Sequence, residues 1–140
     1  MQNYMSHTFQ PIPFGDQVKR VFYEYKQYGK IFGLSKEDFF LGVPGAHFGV
    51  DYFTQPASTP YGPAAGPHTQ LAQNIVLAWL TGARMIELKT LSDKKTQVFP
   101  TPHVDTENLG FNLERSSEIS VEAAVREYVK AWMLIEMIKH

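Results

Sequence analysis

The stretch that decides the fold is residues 59–80, which read Thr-Pro-Tyr-Gly-Pro-Ala-Ala-Gly-Pro-His-Thr-Gln-Leu-Ala-Gln-Asn-Ile-Val-Leu-Ala-Trp-Leu. The first half is rich in proline, glycine and alanine, and the second half has apolar residues at helical spacing. Because Ala64, Ala65 and Gly66 carry almost no side chain, the backbone there can approach a flat ligand closely. Amides at the start of the following helix favour an anion or a polar ring edge. An ordinary loop with a good helix cap has the same pattern.

The helix in this stretch is predicted to begin at an N-cap on Thr69 and to stop at Gly82. Residues 85–91, Met-Ile-Glu-Leu-Lys-Thr-Leu, then alternate as a strand does. A small-residue strand, a helix and a second strand make a βαβ unit, which builds parallel sheets. Ligands of such sheets bind beyond the carboxyl ends of the strands. We therefore expect an α/β fold with a site near residues 64–66 and 89–90.

Two segments resemble known flavoproteins. Residues 59–67 and residues 82–90, which read Gly-Ala-Arg-Met-Ile-Glu-Leu-Lys-Thr, are similar to the first two strands of the flavin barrels of dihydroorotate and dihydropyrimidine dehydrogenases. The longer wording of residues 62–75, with Phe-Asn-Leu-Glu at residues 111–114, resembles the N-terminal part of the large iron–sulfur flavoproteins named as proposed selenate reductase subunits. This second resemblance covers most of the chain, from Phe9 to about Trp132.

The resemblance implies the opening portion of a (β/α)8 flavin barrel of the TIM type. A complete barrel takes roughly 250 residues, and this chain has 140. Residues 1–45 would form an N-terminal helical extension, and residues 46–140 the first part of a dihydroorotate dehydrogenase-like barrel. FMN would lie over Ala64, Ala65 and Gly66. FAD and iron–sulfur clusters would be held only by further domains or partners.

Lys89 and Thr90 are the other residues that the resemblance assigns to the cofactor. Alternation places Glu87 and Lys89 on one face of the strand, and this polar face should look into the barrel, where the two side chains can pair. A lysine beside the ring carbonyls of FMN would stabilise the negative charge that develops on reduction. The alternative is a buried Glu87–Lys89 pair that only fixes the register of the strand.

The substrate contacts are predicted on residues 109–115. Alternation places Asn112 and Glu114 on one face, where an amide and a carboxylate can together bind the N–H and C=O edge of a cyclic imide or a purine. In dihydropyrimidine dehydrogenases a similar Asn-Ile-Glu segment contacts the substrate, so the resemblance implies this role for Asn112, Leu113 and Glu114. The preceding loop, residues 92–108, lacks the asparagine that those enzymes place before a proline. The alternative is that these groups only bond neighbouring strands.

Ahead of the βαβ unit, two helices and one strand are predicted. The first helix covers residues 16–28, and a short one runs from a capping box at Ser35 to Leu41. Residues 46–53 are predicted to be a strand and residues 55–58 a turn. The apolar face of the first helix is predicted to hold Val18, Val21, Phe22 and Tyr25.

A long helix is predicted from an N-cap at Ser120 to Ile138. Its final turns are apolar nearly all round, which predicts self-association or a covering surface on another domain or subunit. The residues concerned are Met133, Leu134, Met137 and Ile138.

Composition excludes several classes of function. With 13 basic and 14 acidic residues and a net charge of −1, the chain has no feature of a nucleic-acid or anionic-membrane binder. Without cysteine it ligates no iron–sulfur cluster and forms no disulfide. No apolar run approaches the ~20 residues of a membrane span, and no signal peptide is present, so we expect a cytoplasmic protein.

The expected function is that of the N-terminal segment of an FMN-dependent oxidoreductase acting on a small pyrimidine-like or purine-like substrate. Electrons would come through another domain or subunit, and the 140-residue chain alone is expected to be inactive. The sequence identifies no general acid or base. The alternative is a non-catalytic scaffold subunit of a larger redox complex that binds no flavin by itself.

Overall fold

The computed structural model describes residues 11–91 and 119–140. The predicted substrate residues Asn112, Leu113 and Glu114 and the loop of residues 92–108 lie outside the described residues. The helices and strands are α1 (Phe14–Tyr28), β1 (Lys30–Ile31), β2 (Leu34–Ser35), β3 (Val50–Tyr52), β4 (Gln55–Ala57), α2 (Ala72–Leu80) and α3 (Val121–Lys139), with short 3-10 helices at Lys36–Asp38 and Pro67–Gln70. Strand β1 pairs with β2, and β3 with β4, both antiparallel.

Helix α1 confirms the first predicted helix, but its buried face is different. The helix ends at Gly29, whose φ of 63° is the left-handed conformation that glycine adopts easily. Val21 is buried as predicted, whereas Phe22 and Tyr25 are about half exposed, at 51% and 50%. The prediction for these two residues was wrong because the helix packs through the turn before them, where Gln17 is buried. The main core joins α1 to the β1–β2 hairpin, α2 and α3 through Val21, Ile31, Phe32, Val76, Leu80 and Leu134.

The β3–β4 hairpin corrects the predicted strand of residues 46–53. Only Val50–Tyr52 is a strand, and Gln55–Ala57, predicted as part of a turn, forms its partner. The chain reverses between Tyr52 and Gln55, which face each other in the register. Pro56 fits because this two-stranded sheet has only edge strands, where a residue without an N–H is tolerated.

The three predicted N-caps had different outcomes. Ser120 is confirmed, since its Oγ accepts a hydrogen bond of 3.1 Å from the Ala123 amide. Ser35 makes no such bond and precedes only the 3-10 turn Lys36–Asp38, which ends before the predicted Leu41. Thr69 is not the cap of α2, because it lies within the 3-10 helix Pro67–Gln70 and Leu71 is at the N-cap position.

Residues 59–65 and 82–87 lie side by side and run in the same direction. Thr59 Oγ1 donates to the Gly82 carbonyl at 2.6 Å, and the Arg84 amide donates to the Tyr61 carbonyl at 2.9 Å. The residue numbers of the bonded pairs increase together in both segments, so the segments run parallel, and α2 connects them. The connection has the parallel course of a βαβ crossover, although neither segment is a regular strand.

Neither segment forms the regular strand that was predicted for residues 85–91, since residues 83–90 belong to no helix or strand. Pro63, on the side of the chain where Tyr61 and Ala65 bond the second segment, lacks the amide that a parallel ladder would need there. The backbones nevertheless touch at Gly62, where a Cβ atom would lie 1.7 Å from the Met85 carbonyl oxygen.

Helix α3 packs against α2 through small and apolar residues, among them Ala72, Ile75 and Ala131. Near its end, Leu134 is fully buried, which corrects its predicted place on an exposed surface. The exposed apolar stripe of α3 consists instead of Val125, Val129, Trp132, Met133 and Met137. Self-association through this stripe stays a prediction. In the described part of the chain, no helix combines the length and the apolar character needed to cross a bilayer.

Candidate functional site

The predicted small-residue turn lies at the end of the first of the two parallel segments. Ala64 is exposed, Ala65 is half-buried and Gly66 is buried. The Gly66 amide donates to Thr69 Oγ1 at 3.3 Å, and this hydroxyl donates back to the Gly66 carbonyl at 2.9 Å. The Thr69 amide also donates to that carbonyl, at 3.0 Å. The turn is therefore held in shape by its own bonds.

Glu87 connects the turn to the second parallel segment. Its Oε2 accepts a hydrogen bond of 2.9 Å from the Ala65 amide, 22 residues earlier in the chain. Glu87 therefore brings the segment that leads to the predicted cofactor residues Lys89 and Thr90 against the turn of residues 64–66. The same contact means that the Ala65 amide already has an acceptor. Because this bond is exposed, it contributes little free energy and water or a ligand can replace it.

Lys89 and Glu87 do not share the inward face that alternation predicted. Lys89 is buried, with 6% of its surface exposed, whereas Glu87 is exposed and contacts the turn. The period of two fails because residues 83–90 form no regular strand. A buried ammonium group requires compensating interactions. Lys89 makes at least one such interaction. Thr90, predicted beside it, is exposed.

The first amide of α2 donates a hydrogen bond to a buried carboxylate. Glu127 of α3 is 1% exposed, and its Oε2 accepts a hydrogen bond of 2.9 Å from the Ala72 amide. Its Oε1 lies 2.6 Å from Lys130 Nζ, which also donates to the Ile12 carbonyl at 3.0 Å. A ligand anion or a polar ring edge was predicted at the amides that begin this helix. One of them is instead bonded to a side chain of the same chain.

Gln70 and Tyr128 are buried polar residues that the sequence did not single out. Gln70 is completely buried, and neither its amide nitrogen nor its oxygen is hydrogen-bonded among residues 11–91 and 119–140. The Tyr128 hydroxyl is likewise buried and unbonded there, and burial raises the pKa of this tyrosine. Nothing in the sequence around Gln70 distinguishes it from an exposed polar residue at the start of a helix.

The turn of residues 64–66 and the segment beside it bring together groups that suit a flat polar ligand. The turn presents small residues and a replaceable Ala65 amide, and a buried cationic residue, Lys89, lies on the segment beside it. Within the described ranges, no group of three histidine, cysteine, aspartate or glutamate residues is placed to hold a metal. The chemistry suited to these residues is the binding of a planar ring with acceptor atoms on its edge.

Comparisons with known proteins agree on one family. The family described as the N-terminal TIM-barrel domain of the oxidoreductase YgfK matches residues 32–140. The inferred oxidoreductase YgfK of Escherichia coli strain K12 is 44% identical over 135 residues, which is 96% of this chain and 13% of that protein. The protein of the same name from Escherichia coli O157:H7 has the same identity and coverage. The chain thus spans only a small part of the length of these relatives. No solved structure is significantly similar to it.

Proposed function

We propose, since this chain belongs to the family of N-terminal TIM-barrel domains of the oxidoreductase YgfK, that it forms the opening portion of a barrel that works with FMN on a small N-heterocyclic substrate. Family membership establishes the oxidoreductase family and the barrel domain. The flavin, the pyrimidine-like or purine-like substrate and the flow of electrons through further domains or subunits, with their FAD and iron–sulfur clusters, are proposals.

The observation that carries this proposal is the contact between the Ala65 amide and Glu87. It joins the ends of two parallel segments that are connected by a helix, which is where the ligands of α/β barrels bind. It also brings the small-residue turn next to the segment that leads to Lys89 and Thr90. These are the two segments that the resemblance assigns to FMN.

The residues present fit an isoalloxazine ring. The small side chains of Ala64 and Ala65 leave the backbone open to a flat ring, and the Ala65 amide donates to a carboxylate oxygen at 2.9 Å. In the proposed complex this amide donates to the ring edge in place of Glu87, and Lys89 stabilises negative charge on the ring. A bound FMN supplies hydride transfer. Asn112, Leu113 and Glu114 orient the substrate.

The scaffold alternative is favoured by a different observation. The amides of Ala65, Gly66 and Ala72 all donate to side chains of this chain. A domain whose ligand-facing amides are satisfied internally can keep its fold without a cofactor. This alternative assigns Lys89 a purely structural role.

The substitution Lys89→Met separates the two functions in the complete oxidoreductase assembly. Methionine keeps most of the apolar stem but removes the charge, so a lysine that stabilises reduced flavin should lose turnover by a factor of about ten or more, equivalent to about 1.4 kcal/mol. The unfolding midpoint should change little. The measurements are turnover per folded molecule, bound flavin from the visible spectrum, and reduction potential.

Lys19→Met is the matched control, because Lys19 is an exposed lysine of α1 whose side chain is 84% exposed. It should change none of these quantities. If Lys89→Met lowers the unfolding midpoint but leaves flavin content, potential and turnover unchanged, Lys89 is structural and its assignment to the flavin fails.

A further inference from the structure

Two neighbouring cavities open at the C-terminal end of α2, away from the turn of residues 64–66. The first has a volume of about 570 Å3 and lies among α1, β1 and the ends of α2 and α3. The second, of about 830 Å3, is lined mainly by residues 40–49. Both volumes are in the range of small-molecule sites, roughly 300 to 1,000 Å3. The residues that line both cavities are Phe40, Leu41, Trp79 and Arg84.

The walls of the first cavity are largely apolar. Val21, Ile31 and Leu80 form part of them and are at most 5% exposed, so they belong to the packed core. Among the lining residues that the structure describes, none in either cavity is an aspartate or a glutamate. Such walls favour a hydrocarbon or aromatic group, because its apolar surface leaves water when it binds.

Arg84 is fixed at the junction of the two cavities. Its guanidinium stacks over the Trp79 ring with 5.3 Å between Cζ and the ring centroid. Nη1 donates to the carbonyls of Trp79 and Ala83, both at 2.9 Å, and Nε donates to Ser58 Oγ at 3.0 Å. These bonds hold the plane of the guanidinium in one orientation and satisfy carbonyls at the end of α2.

The bonds of Arg84 leave part of its binding capacity unused. Its Nη2 makes no hydrogen bond to any described residue, and no described carboxylate forms an ion pair with it. Burial lowers the pKa of Arg84 from its usual value, because desolvation disfavours the charged form. By contrast Lys139, which also lines the first cavity, is paired with Glu136 at 2.6 Å. An incoming anion would compensate the charge of Arg84, with which no carboxylate of residues 11–91 and 119–140 forms an ion pair.

We propose that these cavities bind a small monocarboxylate with an apolar body, with the carboxylate on Arg84 Nη2 and the hydrocarbon along Val21, Ile31 and Leu80. Arginine binds carboxylates through charge-assisted hydrogen bonds, which are roughly twice as strong as neutral ones. A guanidinium already oriented by other bonds loses little further freedom when the ligand arrives. The site lies at the opposite end of α2 from the proposed flavin site and does not depend on it.

The test uses octanoate and its neutral analogue octanamide as probes of the 140-residue chain. The chain has two tryptophans, and Trp132 is 70% exposed on α3, so Trp132→Phe leaves Trp79 as the single reporter in the cavity wall. We expect saturable changes in Trp79 emission, with octanoate bound about tenfold or more tightly than octanamide. The absence of saturable binding, or equal dissociation constants for the two probes, would overturn the proposal.

Variants identify the cation responsible. Arg84→Gln should weaken octanoate binding to the level of octanamide, whereas Arg126→Gln should leave it unchanged, since Arg126 pairs with Glu122 on the exposed surface of α3. Equal losses in the two variants would contradict a role for Arg84.

A second variant keeps the test decisive if Arg84→Gln fails to fold. Leu41 lines both cavities and is 90% exposed, so Leu41→Glu adds a negative charge at the site without disturbing the core. It should weaken octanoate but not octanamide, because only the anion is repelled. Unchanged octanoate binding in a folded Leu41→Glu chain would place the anion elsewhere and overturn the proposal.

Discussion

The two ends of α2 differ in the way their polar groups are satisfied. Around its N-terminal end, the amides of Ala65, Gly66 and Ala72 each donate to a side chain of the same chain. At its C-terminal end, Arg84 is held by its own bonds but pairs with no described carboxylate, beside two open cavities. A ligand at the first end must replace an existing bond, whereas a ligand at the second end would add one. The N-terminal end of α2 is therefore held in shape by bonds within the chain. At the C-terminal end, Arg84 Nη2 can still donate to a ligand.

The backbone contact between the two parallel segments should be the most sensitive point of this arrangement. Gly62→Ala places a Cβ 1.7 Å from the Met85 carbonyl oxygen, and backbone rather than a flexible side chain must move. We expect the free energy of unfolding to fall by about 4 kcal/mol, near the upper limit for a single substitution. Urea unfolding followed by circular dichroism measures it.

Gly15→Ala is the matched control for this prediction. Gly15 lies inside α1, and a Cβ there would meet no atom within 4 Å. Alanine should stabilise this helix by roughly 0.5 to 1 kcal/mol, because it restricts the unfolded chain and favours the helix. If Gly62→Ala does not lower the free energy of unfolding relative to Gly15→Ala, the close approach of the two segments is contradicted.

Removing the buried carboxylate at the N-terminal end should have the next largest effect. Glu127→Ala leaves the Ala72 amide without its acceptor and Lys130 without its partner, and it opens a cavity between α2 and α3. Breaking a buried pair costs roughly 3 to 5 kcal/mol, and because Lys130 remains 19% exposed we expect about 3 kcal/mol.

The exposed pair on the same helix provides the comparison for Glu127. Glu122 and Arg126 are 77% and 65% exposed, so Glu122→Ala should change the free energy of unfolding by less than about 0.5 kcal/mol. Comparable losses from the two alanine substitutions would show that Glu127 does not hold the start of α2.

Features set by neighbouring residues could be predicted from the sequence. Both α1 and α3 follow from apolar spacing, and Ser120 is recognisable as a cap because its partner amide is three residues away. The parallel course of residues 59–65 and 82–87 follows from the order of small-residue segment, helix and second segment. These features depend on interactions within a few residues or on a common connection rule.

Features set by distant contacts could not be predicted in the same way. Glu127 bonds the amide of Ala72, 55 residues earlier, and in sequence it is an ordinary helical glutamate. Thr69 is a residue type that commonly caps helices, but its hydroxyl is hydrogen-bonded to the backbone of Gly66 instead. Alternation predicted a shared face for Glu87 and Lys89, and this was wrong because the segment is not a regular strand. Proline in the neighbouring segment prevents a regular ladder. At Glu127 and at the Glu87–Lys89 alternation a distant segment decided the outcome, whereas at Thr69 one local bonding pattern displaced another that the sequence allowed equally.

The sharpest comparison of the two ends uses a threonine at each, and it has the smallest expected effects. Thr69→Val removes the acceptor of the Gly66 amide, where both residues are buried, so a polar group stays unsatisfied and we expect a loss of about 1.5 kcal/mol. Thr81 donates to the carbonyls of Leu77 and Ala78, but these also accept from the amides of Thr81 and Ala83, and Thr81 is exposed. Thr81→Val should therefore change the free energy of unfolding by less than about 0.5 kcal/mol. Urea midpoints compared at equal m-values give both numbers. Equal effects at the two threonines would contradict the closure of the N-terminal turn by the Thr69 hydroxyl.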